Sequence, residues 1–194
     1  LGTQGYLPMD TRDPGKGDIH IRLQATEPLT LYLRVPATAP LVSLTVTDTA
    51  QTPVIENGYA RLAVPRGETE LNLSLDVRPR FLYADVRVSA DAGKAALVKG
   101  PLVYCFEQAD NGENLAALMV NPAQTPAPCE NPVDAVTSAY QLTGLREHSA
   151  EDALYTMQPP TTEPCVLTAV PYYCWNHRGR GEMRVWMRYF KPTA

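Results

Sequence analysis

Long apolar runs are missing from this chain of 194 residues. No stretch approaches the ~20 consecutive apolar residues that a membrane-spanning helix requires, so no transmembrane helix is expected. Blocks of like charge are missing as well. The formal net charge is −4, which argues against nucleic acid and anionic membrane surfaces as partners. Cysteine is sparse: four residues, at 105, 129, 165 and 174, form no C-x-x-C pair. That spacing argues against a thiolate zinc cluster. Cys105 and Cys174 lie in apolar strands and read as small buried hydrophobes. Cys129 and Cys165 each follow a proline in loop-like surroundings, and whether they pair is left open. This usage is compatible with a reducing compartment, and a cytoplasmic setting is favoured.

Helix signals are also scarce. Asn114–Met119 has the composition for about one turn, and Ser149-Ala150-Glu151-Asp152 has the outline of a capping box that soon meets Pro159-Pro160. Eighteen prolines oppose long helices. The chain has no G-x-S-x-G, no phosphate-binding glycine loop and no H-E-x-x-H. It opens on Leu1-Gly2-Thr3-Gln4 without an initiator Met or a targeting segment. Strand-like alternation follows almost at once, so we expect a piece of a longer protein.

What is present is a period of two. Ile19, Ile21 and Leu23 alternate with Asp18, His20 and Arg22; Leu29, Leu31, Leu33 and Val35 with Thr30, Tyr32 and Arg34; Leu71, Leu73, Leu75 and Val77 with Asn72, Ser74 and Asp76. Each pattern marks a strand with one face on a core and the other in water. Further strands are predicted at 42–47, 59–64, 84–90, 95–99, 101–107, 165–173 and 182–190. Turn signals fall between them, including Pro14-Gly15, Asn57-Gly58, Ala92-Gly93 and Gly179-Arg180-Gly181. The fold class is therefore all-β with little helix: two consecutive antiparallel β-sandwich, jelly-roll-like units over 1–95 and 96–194.

Candidate chemistry is thin. Glu107 and Glu182 adjoin the two most distinctive strands and are the carboxylates to weigh for acid–base work on glycosidic bonds; a strand-end carboxylate with an Arg or backbone partner is the plainer reading. His20, His148 and His177 are scattered, and none stands beside a nucleophile and an orienting acid. Tyr172, Tyr173 and Trp175 are the best aromatic cluster for stacking a sugar ring, although aromatics make up only 8% of the chain. Trp186 is flanked two residues away by Arg184 and Arg188, a spacing that permits cation–π packing.

Two motifs carry a resemblance. Gly100-Pro101-Leu102-Val103-Tyr104-Cys105-Phe106-Glu107, preceded by Ala90-Asp91-Ala92-Gly93-Lys94-Ala95-Ala96, resembles the junction segment of the β-L-arabinofuranosidase family, glycoside hydrolase family 127. Leu167-Thr168-Ala169-Val170-Pro171-Tyr172-Tyr173, with Trp175-Asn176-His177-Arg178 and Gly181-Glu182-Met183, is similar to its terminal motif. Tyr6-Leu7-Pro8-Met9-Asp10, Leu33-Arg34-Val35-Pro36 and Asn57-Gly58-Tyr59 fit in order, so the likeness covers nearly the whole chain. It implies a non-catalytic C-terminal β-sandwich region that braces an (α/α) barrel lying upstream and absent here. In such enzymes a zinc-held cysteine nucleophile on that barrel works with retention. No position of this chain matches the nucleophile or the zinc ligands, so the implied zinc belongs to the absent domain and the catalytic and metal sets here are empty. The implied partner is the chain's own upstream barrel, with room for homodimer contacts. An independent module binding carbohydrate weakly through Tyr172, Tyr173 and Trp175 is the alternative.

Overall fold

The computed structural model describes residues 5–6, 9–11, 16–150 and 153–191. The Pro14-Gly15 turn, Leu7-Pro8 of the opening motif and Glu151-Asp152 of the capping-box outline lie outside them. The chain forms two compact units, Leu1–Arg78 with Lys99–Pro101, and Pro79–Val98 with Leu102–Ala194. Strand dominates and helix is confined to short turns.

The first unit carries β1 (Gly5–Tyr6), β2 (Met9–Thr11), β3 (Asp18–Ala25), β4 (Leu29–Arg34), β5 (Leu41–Val46), β6 (Thr49–Ala50), β7 (Ile55–Glu56), β8 (Tyr59–Val64) and β9 (Gly67–Leu75). One sheet runs β1-β3-β9-β5-β6 with β2 also on β3; a second runs β4-β8-β7. The two-residue period decides which side chains turn inward. Ile21, Leu44, Leu71 and Leu73 from the larger sheet share one apolar cluster with Leu62 of the smaller, and Leu31 and Leu33 pack against it. Each fully buried Leu or Ile stabilises this packing by roughly 1.5–3 kcal/mol. The Asn57-Gly58 turn joins β7 to β8 with φ of 51° and 77°, the doubly left-handed backbone of a tight hairpin. The positive φ favours glycine at position 58; the Arg34 Nη1 that a β-carbon would meet at 2.0 Å is the end of a flexible side chain and could swing aside.

The second unit carries β10 (Pro79–Tyr83), β11 (Lys94–Lys99), β12 (Leu102–Glu107), the single turn α1 (Gln108–Asn111), β13 (Leu118–Val120), β14 (Ala127–Cys129), β15 (Ala139–His148), β16 (Thr161–Pro171), β17 (Met183–Arg184) and β18 (Trp186–Tyr189). Its sheet order is β10-β11-β18-β13-β15-β16-β12-β17, and β11 also pairs with β12. That extra pairing closes a path, so β11, β18, β13, β15, β16 and β12 form a ring. β13 and β18 are parallel; β11–β18, β13–β15, β15–β16 and β12–β16 are antiparallel. The core draws on every strand of the ring: Leu97, Tyr104 and Phe106, Leu118 and Val120, Tyr140 and Leu142, Leu167, and Met187.

Several elements differ from the sequence reading. Residues 84–88 are not strand, and Ser89–Asp91 forms a 3-10 turn. Asp85 turns the chain there, taking the Arg87 N–H on its carboxylate at 2.9 Å and the Val88 N–H on its carbonyl at 2.8 Å; Val86 and Val88 are left exposed, with no core face to alternate against. The expected helical turn at 114–119 is a 3-10 turn over Leu115–Ala117 that runs into β13. β15 was not foreseen because its third inward position is Gly144. A β-carbon there would meet Leu167 Cδ1 at 2.4 Å and the Met119 carbonyl at 2.5 Å. The terminal motif leaves its strand at Pro171 for a 3-10 turn, Tyr172–Cys174. The compact units divide at 78/79, whereas residue 95 lies inside β11, held to β18 by Ala95↔Met187.

Candidate functional site

The two distinctive segments, far apart in sequence, meet in space. β12 pairs with β16 through Tyr104↔Pro171, Cys105↔Val170 and Phe106↔Ala169, and with β17 through Phe106↔Arg184 and Glu107↔Met183. Glu107 therefore stands where β12, the end of β16 and the loop before β17 converge. It is 5% exposed. A buried carboxylate needs partners, and it has them. Arg178 Nη2 donates to Glu107 Oε2 and to Asp110 Oδ2, each at 2.6 Å, while Arg178 Nη1 donates to Asp110 Oδ1 at 2.6 Å. The Asn176 N–H donates to Glu107 Oε1 at 3.1 Å. These two carboxylates, Asp110 foremost, hold the Arg178 guanidinium well above its ordinary pKa.

Asn111 extends the network. Its amide donates to the carbonyls of Glu107 and Thr168 and accepts the Thr168 N–H, all at 2.8–2.9 Å. Glu182 is spent on a different task. Its carboxylate oxygens accept the N–H groups of Asn114 and Leu115 at 3.0 and 2.9 Å, fixing the turn that leads into β13. Neither glutamate is free for acid–base catalysis. Asp110 and Asn111 are not named in the sequence reading, and Arg178 enters it only within the terminal motif; the Arg or backbone partner of its plainer reading of Glu107 is Arg178 together with the Asn176 N–H. The signal for them was Glu107 itself, since a carboxylate at the end of a wholly apolar strand requires a cation close by.

The turn that this network anchors presents the aromatic residues. Tyr172, Tyr173 and Trp175 are 44%, 49% and 42% exposed. The Tyr172 and Trp175 rings stack with centroids 5.9 Å apart at 30°, and the Trp175 N–H closes the turn on the Tyr172 carbonyl at 3.0 Å. The Tyr173 hydroxyl donates to Asp134 Oδ2 at 2.6 Å, which holds the Asp134 carboxyl below its usual range. Cys174 turns inward and is buried, with the Asn131 amide donating to its Sγ at 3.6 Å. Three of four consecutive aromatic-motif side chains thus face solvent on a rigid turn.

Two of the three histidines have side-chain partners. His20 bonds Asn72 at 2.7 Å, His148 meets Glu163 at 2.8 Å, and His177 is exposed. Arg188 reaches Glu147 at 2.5 and 2.8 Å instead of covering Trp186; a cation–π pair is formed by Arg34 over Tyr59, at 5.2 Å. All four cysteines are free. Burial pushes the Cys105 thiol up to about 12, the opposite of what a metal-held thiolate needs. Among the described residues no group of three or more His, Cys, Asp or Glu is placed to hold a metal ion, so the donor set does not fit zinc. No helix among them is long and apolar enough to cross a membrane.

The described residues form an all-β region in which β12, β16 and β17 meet around a buried Glu107–Arg178 pair. The chain belongs to glycoside hydrolase family 127, whose C-terminal domain model matches residues 79–188. It is 38% identical over 155 residues to a non-reducing end β-L-arabinofuranosidase of Bifidobacterium longum subsp. longum, covering 75% of this chain and 24% of that protein. Among solved structures it is similar to a family 127 β-L-arabinofuranosidase from Geobacillus stearothermophilus T6, with a TM-score of 0.81 and 30% identity over 95% of this chain and 30% of that one. A further family 127 β-arabinofuranosidase aligns with a TM-score of 0.71 and 26% identity, over 97% of this chain and 33% of that one. The chain thus spans about a quarter of the curated relative and about a third of the solved chains.

Proposed function

We propose that this chain is a non-catalytic region of a β-L-arabinofuranosidase-like glycoside hydrolase, and that its two units are sandwiches bracing a catalytic barrel carried elsewhere in the same polypeptide. The observation that carries the reading is the fate of the two candidate carboxylates: Glu107 is closed off by Arg178 and the Asn176 N–H, and Glu182 caps a turn. Zinc chemistry, if the parent enzyme uses it, belongs to that barrel. The four free thiols suit a reducing, cytoplasmic setting. The isolated chain is expected not to hydrolyse an aryl β-L-arabinofuranoside. Turnover that a point change within these residues abolishes would overturn the proposal.

An independent carbohydrate-binding module is not favoured, since the chain matches about a quarter to a third of relatives named as β-L-arabinofuranosidases. Tyr172, Tyr173 and Trp175 remain the residues we place against any sugar, because their rings stay exposed on an anchored turn. Titration with arabino-oligosaccharides, followed by tryptophan fluorescence, should then respond in wild type and not in Trp175→Ala. An unchanged signal at millimolar sugar, about 4 kcal/mol of binding, would remove that assignment.

A further inference from the structure

We propose that the tip of the β15–β16 hairpin, residues 153–157, is an apolar tongue that docks on the part of the same polypeptide outside these 194 residues. The proposal rests on the bracing role and assigns it a surface. β15 and β16 pair continuously from Tyr140↔Ala169 to His148↔Thr161, so the tip follows directly on the last ladder pair, two residues beyond the Leu118↔Arg146 pairing with β13. The base is pinned. His148 Nε2 lies 2.8 Å from Glu163 Oε1, and Glu147 accepts both Arg188 Nη groups at 2.5 and 2.8 Å. The exit is restricted as well: the Gln158 N–H donates to Thr156 Oγ1 at 3.1 Å, and Pro159-Pro160 follow.

Between these fixed points Leu154, Tyr155 and Met157 are 96%, 94% and 100% exposed. Single exposed hydrophobes are ordinary on protein surfaces, but a contiguous group marks an interaction site. Tyr and Met are also enriched at interfaces. The size of the contact selects the occupant. Three such side chains cover on the order of 500 Å², short of the ~800 Å² per partner that holds separate molecules together. A tethered partner needs less, because the tether supplies a millimolar effective concentration. The solved relatives have about two thirds of their length beyond the part this chain covers, and a tethered partner of that size is the occupant proposed here. A sugar fits poorly, since Leu and Met offer its hydroxyls no hydrogen bond.

Chymotrypsin supplies the test, applied to the full-length protein. Cleavage after Tyr155, read by mass spectrometry, should be about a hundredfold slower in wild type than in a Leu154→Ser/Met157→Ser variant, which keeps the cleavage site but loses most of the apolar contact. Protection in wild type should survive hundredfold dilution. Equal cleavage rates would overturn the proposal; so would protection lost on dilution, which indicates a second copy, or protection seen only with added arabino-oligosaccharide. Thermal unfolding of the same protein separates this inference from the one beneath it. Independent melting of this region would defeat the bracing role itself. A single cooperative transition with an unprotected tongue would defeat only the tongue.

Discussion

Replacing Arg178 by Met should be among the most damaging single changes in the second unit. Arg178 is the cation for two carboxylates whose side chains are 7% and 15% exposed, and is itself 22% exposed. Removing it leaves Glu107 buried with the Asn176 N–H as a surviving donor. Breaking a buried pair by deleting one partner costs about 3–5 kcal/mol. The surviving Asn176 contact and the partial exposure of Asp110 place this case near the lower end, at about 3 kcal/mol. For a chain of this size, that corresponds to a fall in melting temperature of roughly 9 °C, at about 3 °C per kcal/mol. Circular dichroism of the 194-residue chain measures it directly. Adding Glu107→Gln to the variant should recover part of the loss, because the stranded charge disappears; the double-mutant cycle reads the coupling. A single variant melting within about 1 °C of wild type, or a double variant with no recovery, would refute the reasoning.

Two further outcomes follow from the packing. Gly144→Ala should destabilise by about 1–3 kcal/mol through overpacking against Leu167 and the Met119 carbonyl; a melting temperature equal to wild type would show that β15 relaxes freely. In the native state a thiol reagent at pH 8 should label Cys129 and Cys165, which are partly exposed, well before Cys105 and Cys174, which are buried. Cys105 has the further handicap of a thiol pushed up to about 12 by burial. Because its folded pKa lies above the unfolded value of about 8.5, its contribution to stability is complete below that value and is lost as pH rises toward 12. Labelling of Cys105 as fast as Cys129 would contradict the burial.

The strands with an uninterrupted two-residue period were legible in advance. β3, β4, β8 and β9 alternate Leu, Ile, Ala and Val against polar residues, and tertiary packing had only to confirm which face turns in. β15 was hidden by Gly144, whose lack of a side chain reads as a break and functions as a close approach. The segment 84–90 misled for the converse reason, alternating Val86 and Val88 over a turn that Asp85 imposes. At the candidate site the aromatic side chains could be named from sequence, and they do face solvent. Their anchor could not. Glu107, Asp110 and Arg178 are joined only through the pairing of β12 with β16 and β17, a register that no local pattern encodes.

The ring of the second unit also dictates when this region can finish folding. Lys94 pairs with Arg188, and Met119 pairs with the same arginine from the other side. β18 is thus the keystone between the strand that opens the ring and one formed midway. On a ribosome adding about 5–20 residues per second, β11 and β12 wait on the order of ten seconds before residues 186–189 emerge. Through that interval β11 and β13 each expose an edge that invites pairing with another chain. A nascent polypeptide stalled short of Trp186 would hold both edges open indefinitely. Protection of these two edges from aggregation therefore waits on the emergence of β18.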